Sequence, residues 1–107
     1  LEFQVIHVPG HSNGCVFYRL VMEGKIIIFT GDVIRVGMNC EFAKLGWSGG
    51  TDYDHKKYLE SLKKVSGLDA DIILGGHFQP CLRDGYRMLA NAYMKALLDF
   101  RPPATYD

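Results

Sequence analysis

Three side chains of types that commonly bind metal ions stand at the ends of predicted strands in this sequence. His11 follows the alternating stretch LEFQVIHV and a Pro9-Gly10 corner, Asp32 follows IIIFTG, and His77 follows IILGG. Side chains at the ends of neighbouring strands meet at one edge of a sheet, so residues distant in sequence can bind one ion there. Neutral imidazoles and an ionised carboxylate suit Zn(II), Fe(II) or Mn(II). The sequence therefore predicts a metal site formed by His11, Asp32 and His77.

The elements that must position these residues follow from the hydrophobic pattern. Apolar alternation and short apolar runs predict strands over 1–8, 15–22, 25–32 and within 70–76, and helical spacing predicts helices over 52–66 and about 84–100. Glu23-Gly24 is a short link between the second and third strands, which predicts a hairpin. The glycine-rich stretch 35–50 is expected to be the one long irregular loop.

The apolar residues also predict how these elements pack. Unbroken apolar runs at 26–29 and 72–74 are typical of interior strands that are covered on both faces. The first helix is expected to begin at a cap on Thr51 or Asp52 and to stop at Gly67. The apolar face of the second helix is expected to consist of Tyr86, Leu89, Ala90, Tyr93, Met94, Leu97 and Leu98. Together these features predict one small, layered α/β domain over residues 1–107.

Composition excludes several classes of partner. Twelve basic and 12 acidic residues cancel, and no segment concentrates Lys or Arg, so neither nucleic acid nor an anionic membrane is an expected partner. The apolar runs are too short to span a membrane. Cys15, Cys40 and Cys81 form no C-x-x-C pair, which argues against a zinc ribbon or a secreted disulfide framework and predicts a reducing, cytoplasmic compartment. Cys40, in the long loop, is a further soft metal ligand if it lies near the site.

Other polar residues favour structural roles. His7 is expected to hydrogen-bond to the loop that follows it, and His55 is expected to be a solvated helix residue. Ser12 or Cys15 as a catalytic nucleophile is disfavoured because the sequence has no G-x-S-x-G elbow and no ordered base. Trp47, in the long loop, is expected to pack over the core, with a place in a substrate pocket as the alternative.

Three segments resemble the metallo-β-lactamase superfamily. HVPGHS is similar to its H-T-P-G-H-T segment, IIIFTGD resembles its next metal-site strand and IILGGH its last, in the order and spacing of the glyoxalase II and lactonase-like members. The resemblance implies that His11 is a ligand of one metal, that Asp32 bridges two metals and orients the catalytic hydroxide, and that His77 is a ligand of the second. It implies up to two ions, with zinc expected first and iron or manganese as alternatives. His7 matches a histidine that is not usually a ligand.

One departure from the family pattern is large. The H-x-H-x-D-H cluster that supplies most of the remaining ligands is absent, so the chain resembles the C-terminal half of an αββα sandwich. This resemblance implies an α/β fold with a mixed sheet and helices on one face. The sequence begins at Leu1 without Met and enters a strand pattern at once, so we expect a longer parent. Half a sandwich leaves a sheet face uncovered, with Leu1, Val5, Val16 and Tyr18 as its candidate residues. The expected partner is therefore the missing N-terminal half or a second copy of the chain.

Three functions remain open from the sequence. The first is part of a metal-dependent hydrolase for a small ester, thioester, lactone or β-lactam, with little activity expected from this chain alone. The second is a redox member of the same fold, either an iron dioxygenase or a diiron oxygen reductase. The third is a non-catalytic half-domain that only oligomerises.

Overall fold

The computed structural model describes residues 2–46, 50–76 and 79–99 of the chain. Leu1, Trp47 and His77, which the sequence analysis names, lie outside these ranges. Within them, the elements are β1 (Phe3–His7), β2 (Val16–Met22), β3 (Lys25–Gly31), β4 (Ile34–Val36), a 3₁₀ turn (Met38–Cys40), β5 (Ala43–Leu45), α1 (His55–Val65), β6 (Ile72–Gly75) and α2 (Tyr86–Asp99).

Four of the strands form one mixed sheet in the order β1-β2-β3-β6. The pairs β1/β2 and β2/β3 are antiparallel, and β3/β6 is parallel. The predicted hairpin between β2 and β3 is confirmed. Glu23 and Gly24 both have positive φ, 51° and 78°, the backbone of a turn whose twist matches that of the strands it joins.

The two faces of this sheet differ in burial. Phe17, Ile28 and Ile73 are fully buried in the core that the helices cover. Cross-strand partners share a face, and the pair Val5 and Tyr18 occupies the opposite face with 59% and 46% of each residue exposed. The helices therefore pack on one face, as expected, and the predicted uncovered face exists in the described part of the chain. Val16, also predicted to lie there, is half-buried.

The prediction that both apolar-run strands are interior is right for β3 and wrong for β6. Among the described strands, β6 lies at the edge of the four-stranded sheet. Its outer side makes one isolated bridge, between Ile73 and Cys81. An apolar run says nothing about how many strands flank a strand. The expected cover on both faces is also incomplete, because Ile27 and Phe29, on the same face as Tyr18, are only half-buried.

The stretch 35–50, expected to be irregular, contains the hairpin of β4 and β5. Each strand has only three residues, too few for an alternation to be recognised in the sequence. Contacts with other elements stabilise the hairpin. The Thr30 hydroxyl donates to the Ile34 carbonyl at 2.6 Å, and the Ala43 N–H donates to the Asn91 side-chain oxygen on α2 at 2.6 Å.

Helix α1 begins later than predicted. Its N-cap is Asp54, whose carboxylate accepts hydrogen bonds from the N–H groups of Lys56 and Lys57, and these bonds lower the pKa of the Asp54 carboxyl. Thr51 and Asp52 are exposed and precede the helix. None of the described helices is long and apolar enough to cross a membrane.

Helix α2 is rotated relative to the predicted apolar face. Its buried residues are Met88, Leu89, Ala92 and Ala96. Tyr86, Met94 and Leu98 are instead about half exposed or more, at 49%, 57% and 61%. This rotation directs the Asn91 side chain toward β5, where its oxygen accepts the Ala43 N–H, and the start of the helix is held by the bond from the Tyr86 N–H to the Ala70 carbonyl at 2.8 Å. The two buried alanines then let the helix axis come close to its neighbours, which the bulkier residues would prevent.

Glycine is required at the corner that follows β1. Gly10 has φ +135°, and a Cβ there would lie 2.2 Å from the backbone of Tyr58. We expect Gly10→Ala to lower the free energy of unfolding by about 3 kcal/mol or more, since backbone strain adds to a clash with main-chain atoms. Gly14→Ala is the matched control in the same loop, because a Cβ at Gly14 meets no atom within 4 Å. Urea unfolding of both variants measures the difference, and similar losses would contradict this account.

Candidate metal site

The corner that presents His11 is held by helix α1. The Asp54 N–H donates to the Gly10 carbonyl at 2.8 Å, and the Ser61 hydroxyl donates to the Pro9 carbonyl at 2.7 Å. These bonds hold the chain as it leaves β1 against the start and the middle of the helix. His11 is therefore fixed at the end of the sheet, half-buried.

The imidazole of His11 has different neighbours on its two edges. Its Nδ1 lies 3.6 Å from the Cys15 sulfur, which is itself 3.0 Å from the Ser12 hydroxyl oxygen. The opposite edge faces Gly46, where a Cβ would lie 2.3 Å from His11 Cδ2 and 2.9 Å from Nε2. The Cys15 contact fixes the ring orientation and leaves Nε2 as the nitrogen on the Gly46 side.

Tyr58 of α1 packs against His11 and hydrogen-bonds to Gly46. Its ring is fully buried and packs edge-on against His11, with ring centres 6.3 Å apart. Its hydroxyl accepts a hydrogen bond from the Gly46 N–H at 2.7 Å and donates to the Val33 carbonyl. Burial raises the pKa of the Tyr58 phenol well above its usual value, so the hydroxyl stays protonated and keeps both bonds.

Asp32 lies at the end of β3 with an exposed side chain. A Cβ at Gly46 would lie 2.4 Å from the Asp32 carbonyl oxygen, so Gly46 touches both Asp32 and His11. A Cβ at Gly76 would lie 3.0 Å from the Asp32 carboxylate oxygen Oδ1, and the Gly76 N–H donates to the Gly31 carbonyl at 2.8 Å. The Asp32 carboxylate therefore lies beside the residue that directly precedes His77.

The structure thus brings two of the three predicted ligands to one place. His11 and Asp32 meet around Gly46, and the chain enters His77 next to the Asp32 carboxylate, while His77 itself lies outside the described residues. Within the described ranges no three His, Cys, Asp or Glu side chains are close enough to hold a metal ion. An imidazole and a carboxylate are nonetheless the donor types that Zn(II), Fe(II) and Mn(II) share.

The two other histidines have the structural positions expected of them. His7 Nε2 lies 2.9 Å from the Asn13 carbonyl oxygen, so this ring hydrogen-bonds to the loop as predicted. His55 is exposed and is the first residue of α1. Sequence reasoning gave no site role to Gly46 or Tyr58. The sequence does contain one signal for Tyr58. A tyrosine on the apolar face of a predicted helix is expected to be buried, and a buried phenol needs a hydrogen-bond partner.

The sequence matches the model of the metallo-beta-lactamase superfamily over residues 1–77. This match covers well over half of the chain, so the chain belongs to the metallo-β-lactamase superfamily. The fold of that family implies bound metal ions, and the matched region ends at His77. A comparison with curated protein sequences finds no significant match.

Solved structures give a consistent fold assignment. TTHA1623, crystallised in a di-iron-bound form, is 28% identical with a TM-score of 0.64, over 84% of this chain and 40% of that one. The metallo-beta-lactamase family protein TTHA1429 from Thermus thermophilus is 26% identical with a TM-score of 0.61, over 91% of this chain and 31% of that one. ETHE1 from Myxococcus xanthus is 19% identical with a TM-score of 0.54, over 94% of this chain and 47% of that one. This third match shows a likeness of fold alone. The present chain therefore spans less than half the length of each.

We expect Tyr58→Phe to lower the free energy of unfolding more than the same substitution at a surface tyrosine would. The change leaves the Gly46 N–H and the Val33 carbonyl without their partner, at a cost of about 1–3 kcal/mol in the free energy of unfolding. Tyr86→Phe, at a half-exposed position, is the control and should change stability little. Urea unfolding compares the two variants, and equal effects would contradict a bridging role for Tyr58.

The raised pKa of Tyr58 adds a pH signature. Because the phenol is harder to ionise in the folded chain, its stabilising effect is complete below 10.0, the ordinary pKa of a tyrosine phenol, and declines as the pH rises above it. We compare the free energy of unfolding at pH 9 and pH 11, about one unit on each side of that value. Between these two pH values the wild-type chain should lose more of this free energy than the Tyr58→Phe variant does. Equal losses in this window would contradict the assignment.

Proposed function

We propose that this chain supplies His11, Asp32 and His77 to the metal centre of a metal-dependent hydrolase. The observation that carries the proposal is the convergence around two glycines: Gly46 contacts both His11 and Asp32, and Gly76 adjoins the Asp32 carboxylate. The proposed substrates are small molecules with an ester, thioester, lactone or amide carbonyl. Membership of the superfamily, over a region that contains all three residues, supports the same assignment.

The contacts of each residue suggest its role. His11 would bind through Nε2, because its Nδ1 faces the Cys15 sulfur. Asp32 is exposed at the end of a strand, where its two oxygens can reach two ions. Metal ions of this kind, when bound, lower the pKa of a water molecule and polarise the substrate carbonyl. Asp32 would hold that water and orient it toward the carbonyl, and His11 and His77 would each fix one ion.

The proposed centre needs more groups than this chain provides. Three donors are fewer than two ions with filled coordination shells require, so we expect the chain to be inactive by itself. The uncovered sheet face, with Val5 and Tyr18 exposed, is where a further segment or a second copy of the chain would pack. The three cysteines are free thiols, which supports the proposed reducing, cytoplasmic compartment.

Metal content tests the ligand set. After purification with added zinc, iron or manganese, we expect about one ion per wild-type chain. His11→Ala and His77→Ala should each lower the metal affinity by more than about tenfold, because changes to residues that merely support a ligand already cost about that much. His55→Ala, which removes an exposed histidine at the start of α1, should bind as the wild type does. Mass spectrometry of the metals gives the stoichiometry. Full metal content in the two ligand variants, or none in any protein, would exclude the proposed site and favour a non-catalytic half-domain.

A redox function on the same fold is the second candidate. The structure of TTHA1623, 28% identical to this chain, is a di-iron-bound form, so iron has to be tested beside zinc. Because this chain alone is expected to be inactive, both activities are measured on the chain assembled with the segment that supplies the missing donors. Oxygen consumption by an assembly that retains iron would favour the redox function. Hydrolysis of a thioester or lactone by the zinc or manganese form, without oxygen uptake, would favour the hydrolase.

The uncovered sheet face gives a test of self-association. If a second copy packs on it, Val5→Lys should weaken the dimer by about tenfold or more, because the lysine charge would lose its hydration in the interface. Met38→Lys is the control, since Met38 is 72% exposed and lies outside the sheet. Analytical ultracentrifugation over a concentration series measures the dissociation constants. A monomer at every concentration would exclude the homodimer and leave a further polypeptide segment as the partner.

A further inference from the structure

Two cysteines that are far apart in sequence lie together at the edge of β6. Cys40 ends the 3₁₀ turn between β4 and β5, and its thiol donates a hydrogen bond to the Pro80 carbonyl at 3.4 Å. Cys81 is the next residue, and it is fully buried. The thiol of Cys81 has a raised pKa, first because of its burial and then because it hydrogen-bonds with the Cys40 thiol. The Cys81 thiol also donates to the Arg83 carbonyl at 3.3 Å. Because Pro80 directly precedes Cys81, the bond from Cys40 to the Pro80 carbonyl places the Cys40 thiol beside Cys81.

The backbone around this pair holds the two thiols in place. Cys81 exchanges both main-chain hydrogen bonds with Ile73 on β6, at 2.8 and 2.9 Å. The Gln79 side chain donates to the Gly37 carbonyl at 2.6 Å, which ties the segment 79–81 to the turn that contains Cys40. Cys40 itself has φ +57°, a conformation that is uncommon for residues other than glycine and asparagine. The fold thus maintains the contact between two elements that the chain does not otherwise join.

We propose that Cys40 and Cys81 are a thiol modification site that forms a reversible disulfide on reaction with a small-molecule disulfide such as oxidised glutathione. The inference does not depend on the proposed hydrolase function. The third cysteine, Cys15, contacts Ser12 and His11 and takes no part in the reaction.

The different exposure of the two thiols sets the order of the steps. Cys40 is half-buried and Cys81 is fully buried, so the reagent reaches Cys40 first. The Cys40 thiolate attacks one sulfur of oxidised glutathione, which forms a mixed disulfide and releases one glutathione thiolate. The Cys81 thiolate then attacks the Cys40 sulfur, which forms the protein disulfide and releases the second. Two protein thiols are oxidised and one glutathione disulfide is reduced to two thiols, so atoms and electrons balance.

The bond would join the β4–β5 hairpin to the segment that follows His77. In the reduced chain, hydrogen bonds from Cys40 and Gln79 and the packing of Cys40 and Cys81 in the core hold this segment on the hairpin. A covalent link there limits how far the chain on the C-terminal side of His77 can move away from the hairpin. The oxidised chain should also be more stable, because a cross-link over about 40 residues reduces the freedom of the unfolded chain.

Peptide mapping tests the proposal on the folded wild-type chain. Trypsin places the three cysteines in separate peptides, 1–19, 36–44 and 65–83. The chain is treated with oxidised glutathione under native conditions, free thiols are alkylated, and the digest is analysed by mass spectrometry with and without reduction. We expect peptides 36–44 and 65–83 to appear as one linked species that reduction separates, and Cys15 to be alkylated in full.

A variant and a stability measurement complete the test. In Cys81→Ser the same treatment should stop at a glutathione adduct on Cys40, because no second thiol is near. The oxidised wild type should melt about 5 °C or more above the reduced form, and the variant should show no such rise. A persistent glutathione adduct on Cys40 in the wild type, or links that include Cys15, would overturn the proposal.

Discussion

The hydroxyl of Tyr58 is the contact on which the site depends. It joins two main-chain groups from different segments, the Val33 carbonyl after β3 and the Gly46 N–H after β5. Both segments would otherwise leave a buried polar group unpaired, which is costly in a small core. The same side chain occupies the space that any Cβ at Gly10 would need. One residue of α1 therefore sets the position of three connections that surround His11 and Asp32.

Two glycines near the proposed ligands also shape this part of the molecule. Gly46 is squeezed between the His11 ring and the Asp32 backbone, and Gly76 passes under the Asp32 carboxylate. A side chain at either position would occupy the space in which the donor groups meet. The proposed site thus depends as much on the absence of side chains at Gly46 and Gly76 as on the donor groups themselves.

Much of the fold could be predicted from the sequence because its signals are local. The β2–β3 hairpin follows from alternation and a two-residue turn, and the position of Asp32 follows from the length of β3. The β4–β5 hairpin could not be found, because strands of three residues have no recognisable period. The rotation of α2 about its axis could not be predicted from the sequence either. It depends on contacts with distant segments, such as the bond from the Ala43 N–H to Asn91, whereas the sequence shows only which residues are apolar, and Tyr86 and Met94 are apolar yet exposed. For the site, strand ends predicted His11 and Asp32, but the roles of Gly46 and Tyr58 arise from contacts between distant segments.

The parallel pairing of β3 with β6 has a consequence for the order of folding. The three antiparallel strands are neighbours in sequence and can pair as soon as their turns form. The β6 strand, by contrast, joins through contacts such as the bond from the Ile26 N–H to the Asp71 carboxylate, which close a loop of 45 residues. Loop closure of this length costs entropy before any contact repays it. The segment that leads into His77 is therefore expected to reach the sheet edge last, so that a nascent chain would present His11 and Asp32 before the proposed third ligand is delivered by the docking of β6.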